Sequence, residues 1–374
     1  MRCGYWERAE CRSCALIETP RPRQLADKEQ RARTAVGAHA TWSPPFAGPE
    51  AAFRNKAKMV VGGTTEAPTL GILDAEQRGV DLRACGILDP ALTAALPAFS
   101  RFITLARLTP YDVGARRGEL KHVLLTTSPS GELMARFVLR SSESLPRIRK
   151  HLPTLLAELP GLRVVTANLL PAHAALLEGD EEVVLTDAAE LRIPIAGFEL
   201  RLPPRAFFQT NTPVAAGLYE QARAWAGDAR EVWDLYCGVG GFALALSGPG
   251  RRVLGVESSA EAIEAATRTA RAAGLADTAF VAADATTWAM EQDRVPELVV
   301  VNPPRRGLGP ELSGWLERSG VGRVVYSSCN PDSLATDLAR MPSLRPARAR
   351  LFDMFPQTEH LEVIALLERR VNDS

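Results

Sequence analysis

The 374-residue sequence predicts a doubly wound α/β domain over residues 205–374, preceded by an α+β domain over 96–204 and a small module over 1–95. Three observations support this fold class. In the last segment, apolar strand-like runs alternate regularly with amphipathic helical segments. Residues 299–301 and 324–326 are continuously apolar, which is typical of strands buried on both faces of a parallel sheet. A glycine-rich turn separates the first strand from the first helix, as in nucleoside-binding α/β folds.

Composition narrows the class of protein. The net charge is zero, 46% of residues are hydrophobic, and no apolar run approaches 18 residues, which argues against a membrane protein. The first residues contain no apolar signal-peptide core, so we expect a cytoplasmic protein. We take it to be a monomer, although no sequence feature indicates the oligomeric state. All five lysines lie within the first 150 residues, which predicts a local basic surface there or an ordinary solvated face.

The segments before residue 205 predict short strands around a helix. The stretch "KAKMVVGG" reads as a strand. Next, "HVLLTTS" and "LMARFVLRS" flank the turn "PSGE", which favours an antiparallel hairpin. An amphipathic helix, "LPRIRKHLPTLLAELPGL", and a strand, "RVVTANLL", follow.

The turn "DLYCGVGGFAL" opens the α/β domain and favours a nucleoside-bearing cofactor over a turn needed only for packing. Its G-x-G-G spacing differs from the G-x-G-x-x-G that cradles a pyrophosphate. Asp234 would oppose a phosphate but suit a cationic sulfonium. Glu257 follows 23 residues later, where an acid binds ribose hydroxyls. Together these residues predict S-adenosylmethionine. The next helix is expected to begin with a capping box of Ser258 and Glu261.

Further polar residues stand at predicted strand ends. Asp284 ends the third strand and either faces an adenine or is an exposed turn residue. Asn302 follows the fourth strand, and Cys329 follows the fifth. Carboxyl ends of parallel strands form the ligand crevice, so Asp234, Glu257, Asn302 and Cys329 should converge. The motif "NPPRRGL" places Arg305 where amino-methyltransferases carry a stacking aromatic residue, which argues against exocyclic-amine chemistry.

Cys329 is either a buried strand-end residue or a nucleophile. Beside an alkyl donor, its thiolate can add to C6 of a uracil and make C5 nucleophilic. A base must then remove the C5 proton so that the thiol can leave. Glu362 in "TEHLEVIALL" is the nearest candidate, since the apolar strand around it should raise its pKa. His360 is expected on the same strand face, where it could orient Glu362.

Five motifs, "FFQTN", "DLYCGVGGF", "NPPRRGL", "YSSCNP" and "HLEVIALL", together resemble the RNA uracil-C5 methyltransferases. The resemblance implies Cys329 as the nucleophile and Glu362 as the proton acceptor. It also implies a set of residues around S-adenosylmethionine, namely Gln209, Tyr236, Glu257 and Asn302. Most members carry Asp at the position of Asn302, so a proton-transfer role for this residue is in doubt. The amino-terminal motifs resemble the branch that methylates a hairpin-loop uracil of 23S ribosomal RNA.

The remaining cysteines form two groups. Cys3, Cys11, Cys14 and Cys85 have metal-ligand spacing that suits either zinc or an iron–sulfur cluster. The resemblance implies a [4Fe–4S] cluster with a structural or RNA-positioning role. Cys237 lies inside the glycine turn and is expected only to pack. Beside the cysteine module, the candidates for RNA contacts are Phe53, Arg54, Asn55, Lys56 and Lys58.

Two alternatives to this function remain open at the level of sequence. One keeps the chemistry but moves it to another ribosomal uracil or to a transfer RNA. The other is a non-catalytic iron–sulfur protein that binds RNA or senses redox state. The presence of Gln209, Glu257, Cys329 and Glu362 together argues against the second alternative.

Overall fold

The computed structural model describes residues 1–37, 39–174 and 176–370. The chain forms two compact units. Unit 1 comprises residues 1–14 and 50–193, and unit 2 comprises residues 15–49 and 194–374. Residues 15–49 thus group with the carboxy-terminal part of the chain, whereas the sequence placed them in the first of three segments. No described helix is long and apolar enough to cross a bilayer.

Unit 1 is built on a seven-stranded sheet of order β4-β3-β2-β5-β6-β7-β8. Its strands are β2 (Lys56–Gly63), β3 (Pro68–Leu73), β4 (Gly79–Asp81), β5 (Leu120–Thr127), β6 (Leu133–Leu139), β7 (Leu162–Leu169) and β8 (Glu181–Val184). Its α-helices are α1 (Gly4–Glu7), α3 (Pro90–Leu105) and α4 (Leu145–Glu158). The strand "KAKMVVGG", the hairpin of β5 and β6, and the helix and strand that follow it are all confirmed.

The core of unit 1 lies on one face of this sheet. Alternate residues of β2, such as Ala57, Met59 and Val61, are buried there against apolar side chains of α3 and α4. The period of two places Lys56 and Lys58 on the opposite face. On that second face, Leu124, Val138 and Leu170 form a small buried apolar cluster.

Unit 2 contains an eight-stranded sheet of order β1-β16-β17-β15-β14-β11-β12-β13. Its strands are β1 (Thr41–Ala47), β11 (Glu231–Leu235), β12 (Arg252–Glu257), β13 (Thr278–Ala282), β14 (Leu298–Val301), β15 (Arg323–Ser328), β16 (Leu344–Asp353) and β17 (Glu362–Arg369). In the described part of this sheet, β17 runs antiparallel to its neighbours and the other neighbouring strands pair in parallel. The predicted doubly wound α/β fold is confirmed, as are the buried runs of β14 and β15, whose residues 299–301 and 324–326 are fully buried.

The helices of unit 2 are α2 (Arg21–Val36), α5 (Thr212–Ala226), α6 (Gly241–Leu246), α7 (Ala260–Ala272), α8 (Ala285–Met290), α9 (Gly309–Arg318) and α10 (Pro331–Ala339). A small hairpin of β9 (Leu191–Ile195) and β10 (Phe198–Leu202) occurs where the chain passes from unit 1 to unit 2. The predicted cap of α7 was wrong by one residue: Ser259, not Ser258, accepts the hydrogen bond from the Ala262 amide. Ser258 donates instead to Glu257.

A buried polar network fixes α2 to the loop before β17. The Lys28 ammonium is 2% exposed and lies 2.6 Å from the Asp353 carboxylate. It also donates to the carbonyl of Phe355 at 2.9 Å. One turn earlier on α2, Gln24 exchanges hydrogen bonds with both the side chain and the backbone amide of Gln357. Because these groups are buried and paired, they hold residues 353–357 in one conformation.

Candidate active site

A cavity of about 640 Å³ opens at the carboxyl ends of the parallel strands of unit 2. Its size is in the range of small-molecule sites. The lining includes all six site residues named from the sequence, Gln209, Tyr236, Glu257, Asn302, Cys329 and Glu362. They come from six different strand ends or loops, so the sheet topology brings together residues that are up to 153 positions apart in the chain.

The glycine turn after β11 forms one wall of the cavity. Gly238 and Gly240 have φ angles of +54° and +87°, which side chains rarely adopt. A Cβ at Gly238 would meet no atom within 4 Å, so the backbone there is open to a ligand. At Gly241, by contrast, a Cβ would lie 2.4 Å from the Tyr219 hydroxyl oxygen. The turn therefore needs glycine both for its shape and for close packing.

Glu257 closes the turn from the end of β12. One carboxylate oxygen accepts a hydrogen bond from the Gly238 amide at 3.3 Å, and the other accepts from Ser258 and the Ser259 amide. Its carboxylate is thereby held at the cavity wall, with lone pairs left for ribose hydroxyls. The residues present fit a nucleoside-bearing cofactor: an open glycine backbone, a fixed acid and the aromatic ring of Tyr236.

Asp234 does not take the place expected from the sequence. Its carboxylate is fully buried and accepts a hydrogen bond from the Ala243 amide of α6 at 2.8 Å. Burial raises its pKa to about 8, with a further contribution from the charge of Glu257. A carboxyl that points into the helix cannot contact a sulfonium, so the expectation for this residue was wrong. Asp284 does line the cavity, and it also caps α8.

Glu362 is the first residue of β17 and is 2% exposed. Burial raises the pKa of its carboxyl to about 7, while a hydrogen bond from Ser327 opposes the rise. Ser327 is itself fully buried on β15, and its hydroxyl lies 2.5 Å from the Glu362 carboxylate. A carboxyl with a pKa near 7 can take up and release a proton at neutral pH.

Cys329 lies in the short loop between β15 and α10. Burial raises the pKa of its thiol, and the negative charge of Glu362 adds to the rise, whereas the Arg305 guanidinium lowers it. The thiol is therefore close to both a base and a cation. Asn330 caps α10 and donates to the Arg305 carbonyl at 3.0 Å, which ties the loop after β14 to the loop after β15. This hydrogen bond fixes the backbone of Arg305 close to the loop that carries the thiol.

His360 is not on the strand that carries Glu362, because β17 begins two residues later. Its ring packs edge-on against Phe355, and no described hydrogen bond joins it to the carboxylate. The expected role of His360 in orienting Glu362 was therefore wrong, and Ser327 contacts the Glu362 carboxylate instead. Sequence reasoning also missed Tyr219 of α5, a buried residue of the cavity wall whose pKa is raised by burial and by the charges of Asp234 and Glu362.

The four amino-terminal cysteines lie near one another in unit 1. Burial raises the pKa of Cys14 to about 11, and the charges of Cys85, Cys11 and Cys3 contribute to that rise. Within the described ranges, however, no group of three or more Cys, His, Asp or Glu side chains has the spacing to hold a metal ion. The structure thus brings the four predicted ligands into one neighbourhood without a coordination geometry.

The second half of the chain matches a known protein family. The family described as tRNA (uracil-5-)-methyltransferase matches residues 182–370. A 23S rRNA (uracil(747)-C(5))-methyltransferase RlmC of Cronobacter sakazakii is 48% identical over 99% of this chain and 100% of its own length. The protein of the same name from Yersinia pseudotuberculosis is 44% identical over the same shares.

A solved structure resembles the fold over nearly the whole chain. The tRNA (uracil-54, C5)-methyltransferase of Pyrococcus abyssi, solved with S-adenosyl-L-homocysteine, has a TM-score of 0.80 and 24% identity. The likeness covers 95% of this chain and 85% of the other. From the family match and the full-length relatives, the chain belongs to the tRNA (uracil-5-)-methyltransferase family.

Proposed function

We propose that this protein methylates C5 of uracil 747 in 23S ribosomal RNA, with S-adenosylmethionine as methyl donor, Cys329 as nucleophile and Glu362 as base. One observation carries the proposal. The Cys329 thiol and the Glu362 carboxyl, whose pKa is about 7, line the same cavity as the glycine turn, and the charge of Glu362 acts on the thiol. The full-length relatives named for this reaction support the choice of RNA and of uracil.

The residues of this chain divide the chemistry between them. The Cys329 thiolate, stabilised by Arg305, forms a carbon–sulfur bond to C6 and places electron density on C5. Gln209, Tyr236, Glu257 and Asn302 would hold S-adenosylmethionine, which would supply the methyl group that C5 accepts and leave as neutral S-adenosylhomocysteine.

Glu362 completes the reaction. Its carboxylate removes the proton from C5, the C5–C6 double bond re-forms, and the bond to sulfur breaks. Charge and atoms then balance, because the proton resides on Glu362 and the thiolate is regenerated.

The test uses an RNA hairpin with the sequence around uracil 747, in which that base is 5-fluorouracil. With S-adenosylmethionine, the wild-type protein should form a covalent adduct that survives denaturing electrophoresis, because fluorine cannot leave as a proton. Cys329→Ala should form no adduct yet still bind S-adenosylmethionine in calorimetry. Absence of an adduct with the wild-type protein would refute the mechanism.

The base is tested on normal RNA. Glu362→Gln should accumulate the methylated adduct, whereas the matched variant Glu359→Gln, an exposed carboxylate three residues earlier, should turn over like wild type. Mapping 5-methyluridine in ribosomal and transfer RNA of a strain without the gene then identifies the target. Loss of the modification at a transfer RNA position, with 23S RNA unchanged, would favour the alternative substrate.

The proposal includes a [4Fe–4S] cluster bound by Cys3, Cys11, Cys14 and Cys85. The nearness of the four thiols supports it, because burial and then the charges of Cys3 and Cys11 raise the pKa of both Cys14 and Cys85, and a bound cation would favour their thiolates. Thiolate sulfur is also the donor that iron–sulfur clusters and zinc prefer. The cluster would tie the amino terminus to the segment around Cys85.

Metal analysis of anaerobically purified protein tests this. About four iron and four sulfide per chain, reduced in Cys85→Ser, would support the cluster. One zinc per chain would establish the alternative site, and neither metal would refute both.

A further inference from the structure

We infer that the outward side of β2 in unit 1 is the docking surface for the RNA hairpin, with Lys56 and Lys58 binding phosphates and an adjoining pocket taking an unpaired base other than the target. This inference rests on the proposed function, since it assigns the surface that holds the same substrate. We call this surface the open face. It comprises the outward residues Lys56, Lys58 and Val60 of β2 and the pocket beside them, whereas the outward residues of β5 and β6, such as Leu124 and Arg136, are buried.

The open face follows from strand register. Lys56 and Lys58 of β2 pair with Thr126 and Leu124 of β5. Leu124 in turn pairs with Arg136 of β6. Residues that pair directly point to the same face of the sheet. Thr126, Leu124 and Arg136 are at most 3% exposed, so among these residues Lys56 and Lys58 are the ones open to a ligand. The helices α3 and α4 cover the other face, where the core lies.

The cations of this face are only partly neutralised. Arg136 is buried and forms ion pairs with both Glu178 and Glu182. Glu178 is the carboxylate whose charge acts favourably on Lys56 and Lys58, yet it is already bound to Arg136. Burial, then the nearby charge of Lys58, lowers the pKa of Lys56 to about 8. A phosphate placed between the two ammonium groups would relieve this repulsion.

A pocket of about 440 Å³ continues the same face. Val60 and His122, paired across β2 and β5, form its floor. Tyr111 and His173 line its side, joined by a hydrogen bond of 3.0 Å. Burial lowers the pKa of His122 to about 4, so its ring is neutral at physiological pH.

The character of this pocket matches an unstacked base. The exposed side chains of Leu176 and Leu177 complete an apolar rim, and they are 54% and 42% exposed. Aromatic and imidazole rings beside apolar side chains are the surfaces on which single-stranded bases stack. Phosphate-binding lysines one strand step away would position the backbone on either side of such a base. A hairpin loop supplies both features, whereas a regular duplex keeps its bases stacked.

The experiment measures affinity for the 23S hairpin against salt concentration. Lys56→Gln/Lys58→Gln should weaken binding about tenfold near 0.15 M salt, and the slope of log K against log salt should fall by about 1.4, since each single-strand phosphate contact contributes about 0.7. The matched control, Arg149→Gln/Lys150→Gln, removes two exposed charges from α4 on the other side of the sheet and should leave both quantities unchanged.

A pocket variant separates stacking from charge. Tyr111→Leu should weaken binding about tenfold with the salt slope unchanged. If it unfolds, Val60→Phe fills the pocket instead and should act in the same direction. Equal effects of the α4 control and the lysine pair, or wild-type affinity in both pocket variants, would overturn the inference. Methylation by the wild-type protein tests the proposed function separately, so activity with unchanged variant binding rejects the open face alone.

Discussion

Removal of the Ser327 hydroxyl should shift the pH dependence of methylation. In the structure, this hydroxyl donates to the Glu362 carboxylate in a buried site, so it stabilises the ionised form. A hydrogen bond to a charged group contributes about 1.5–3 kcal/mol, and about 1.4 kcal/mol corresponds to one pKa unit. Ser327→Ala should therefore raise the pKa of Glu362 by about one to two units above its value of about 7.

The sign of the effect on rate follows from the proposed role of Glu362 as base. Only the carboxylate accepts the C5 proton, so the rate rises as pH passes through its pKa. At pH 7 about half of the carboxyl is ionised in the wild type, against about 1–9% in the variant, which predicts a rate about 5–50-fold lower. The deficit should disappear toward about pH 9.5. Single-turnover transfer of labelled methyl to the hairpin measures this profile.

Two other titratable groups lie near Glu362, so the assay needs a control that distinguishes their effects from that of Glu362. Cys329 and Tyr219 both respond to its charge, and Cys329 titrates in the same assay. Ser327→Thr keeps a hydroxyl donor and should restore the wild-type midpoint of the pH profile. If Ser327→Ala acted only through a general loss of packing, Ser327→Thr would not restore that midpoint. A rate that falls equally at every pH, with the midpoint unmoved, would show that Ser327 serves only the fold.

Three further outcomes follow from the structure. Folding raises the pKa of Glu362, so the protonated carboxyl stabilises the fold below about pH 4.5 and this stabilisation is lost as pH rises through about 7. Glu362→Gln should therefore raise the free energy of unfolding at pH 8 by up to about 3 kcal/mol and leave it unchanged at pH 4, measured by urea denaturation. Lys28→Met should destabilise the protein by about 3 kcal/mol, because the buried Asp353 carboxylate loses a partner, and Lys28→Met/Asp353→Asn should recover part of that loss. Gly241→Ala should lower stability by about 1–3 kcal/mol and weaken S-adenosylmethionine binding, since its Cβ would collide with Tyr219; unchanged thermal unfolding and calorimetry would contradict this.

The sequence predicted those strands and turns whose pattern of buried residues repeats within a few positions. The continuous apolar runs of β14 and β15, the alternation in β2, and the glycine turn each have a short period that one stretch of sequence displays. For the same reason, the strand ends that line the cavity could be named in advance. Each follows directly from such a run.

Features that depend on contacts between residues far apart in the chain could not be predicted from the sequence. The segment "TWSPPFA" contains two prolines and lacks a strand pattern, yet β1 pairs with β16 at the edge of the sheet, where missing amide donors are tolerated. The support of Glu362 by Ser327 depends on the register of two antiparallel strands that are 35 residues apart. The direction of the Asp234 carboxylate depends on how α6 begins. Nothing in the adjacent sequence indicates these contacts.

The pairing of β1 with β16 has a consequence for synthesis on the ribosome. Thr41 emerges early, but its partner Arg348 is made 307 residues later. Nearly all of unit 1 lies between Thr41 and Arg348 in the chain, so unit 1 can fold before β1 has a partner strand. The methyl-transferring half can therefore close only near the end of translation. A gene fragment that starts at residue 205 would yield a sheet without its edge and without Lys28, and such a fragment should aggregate.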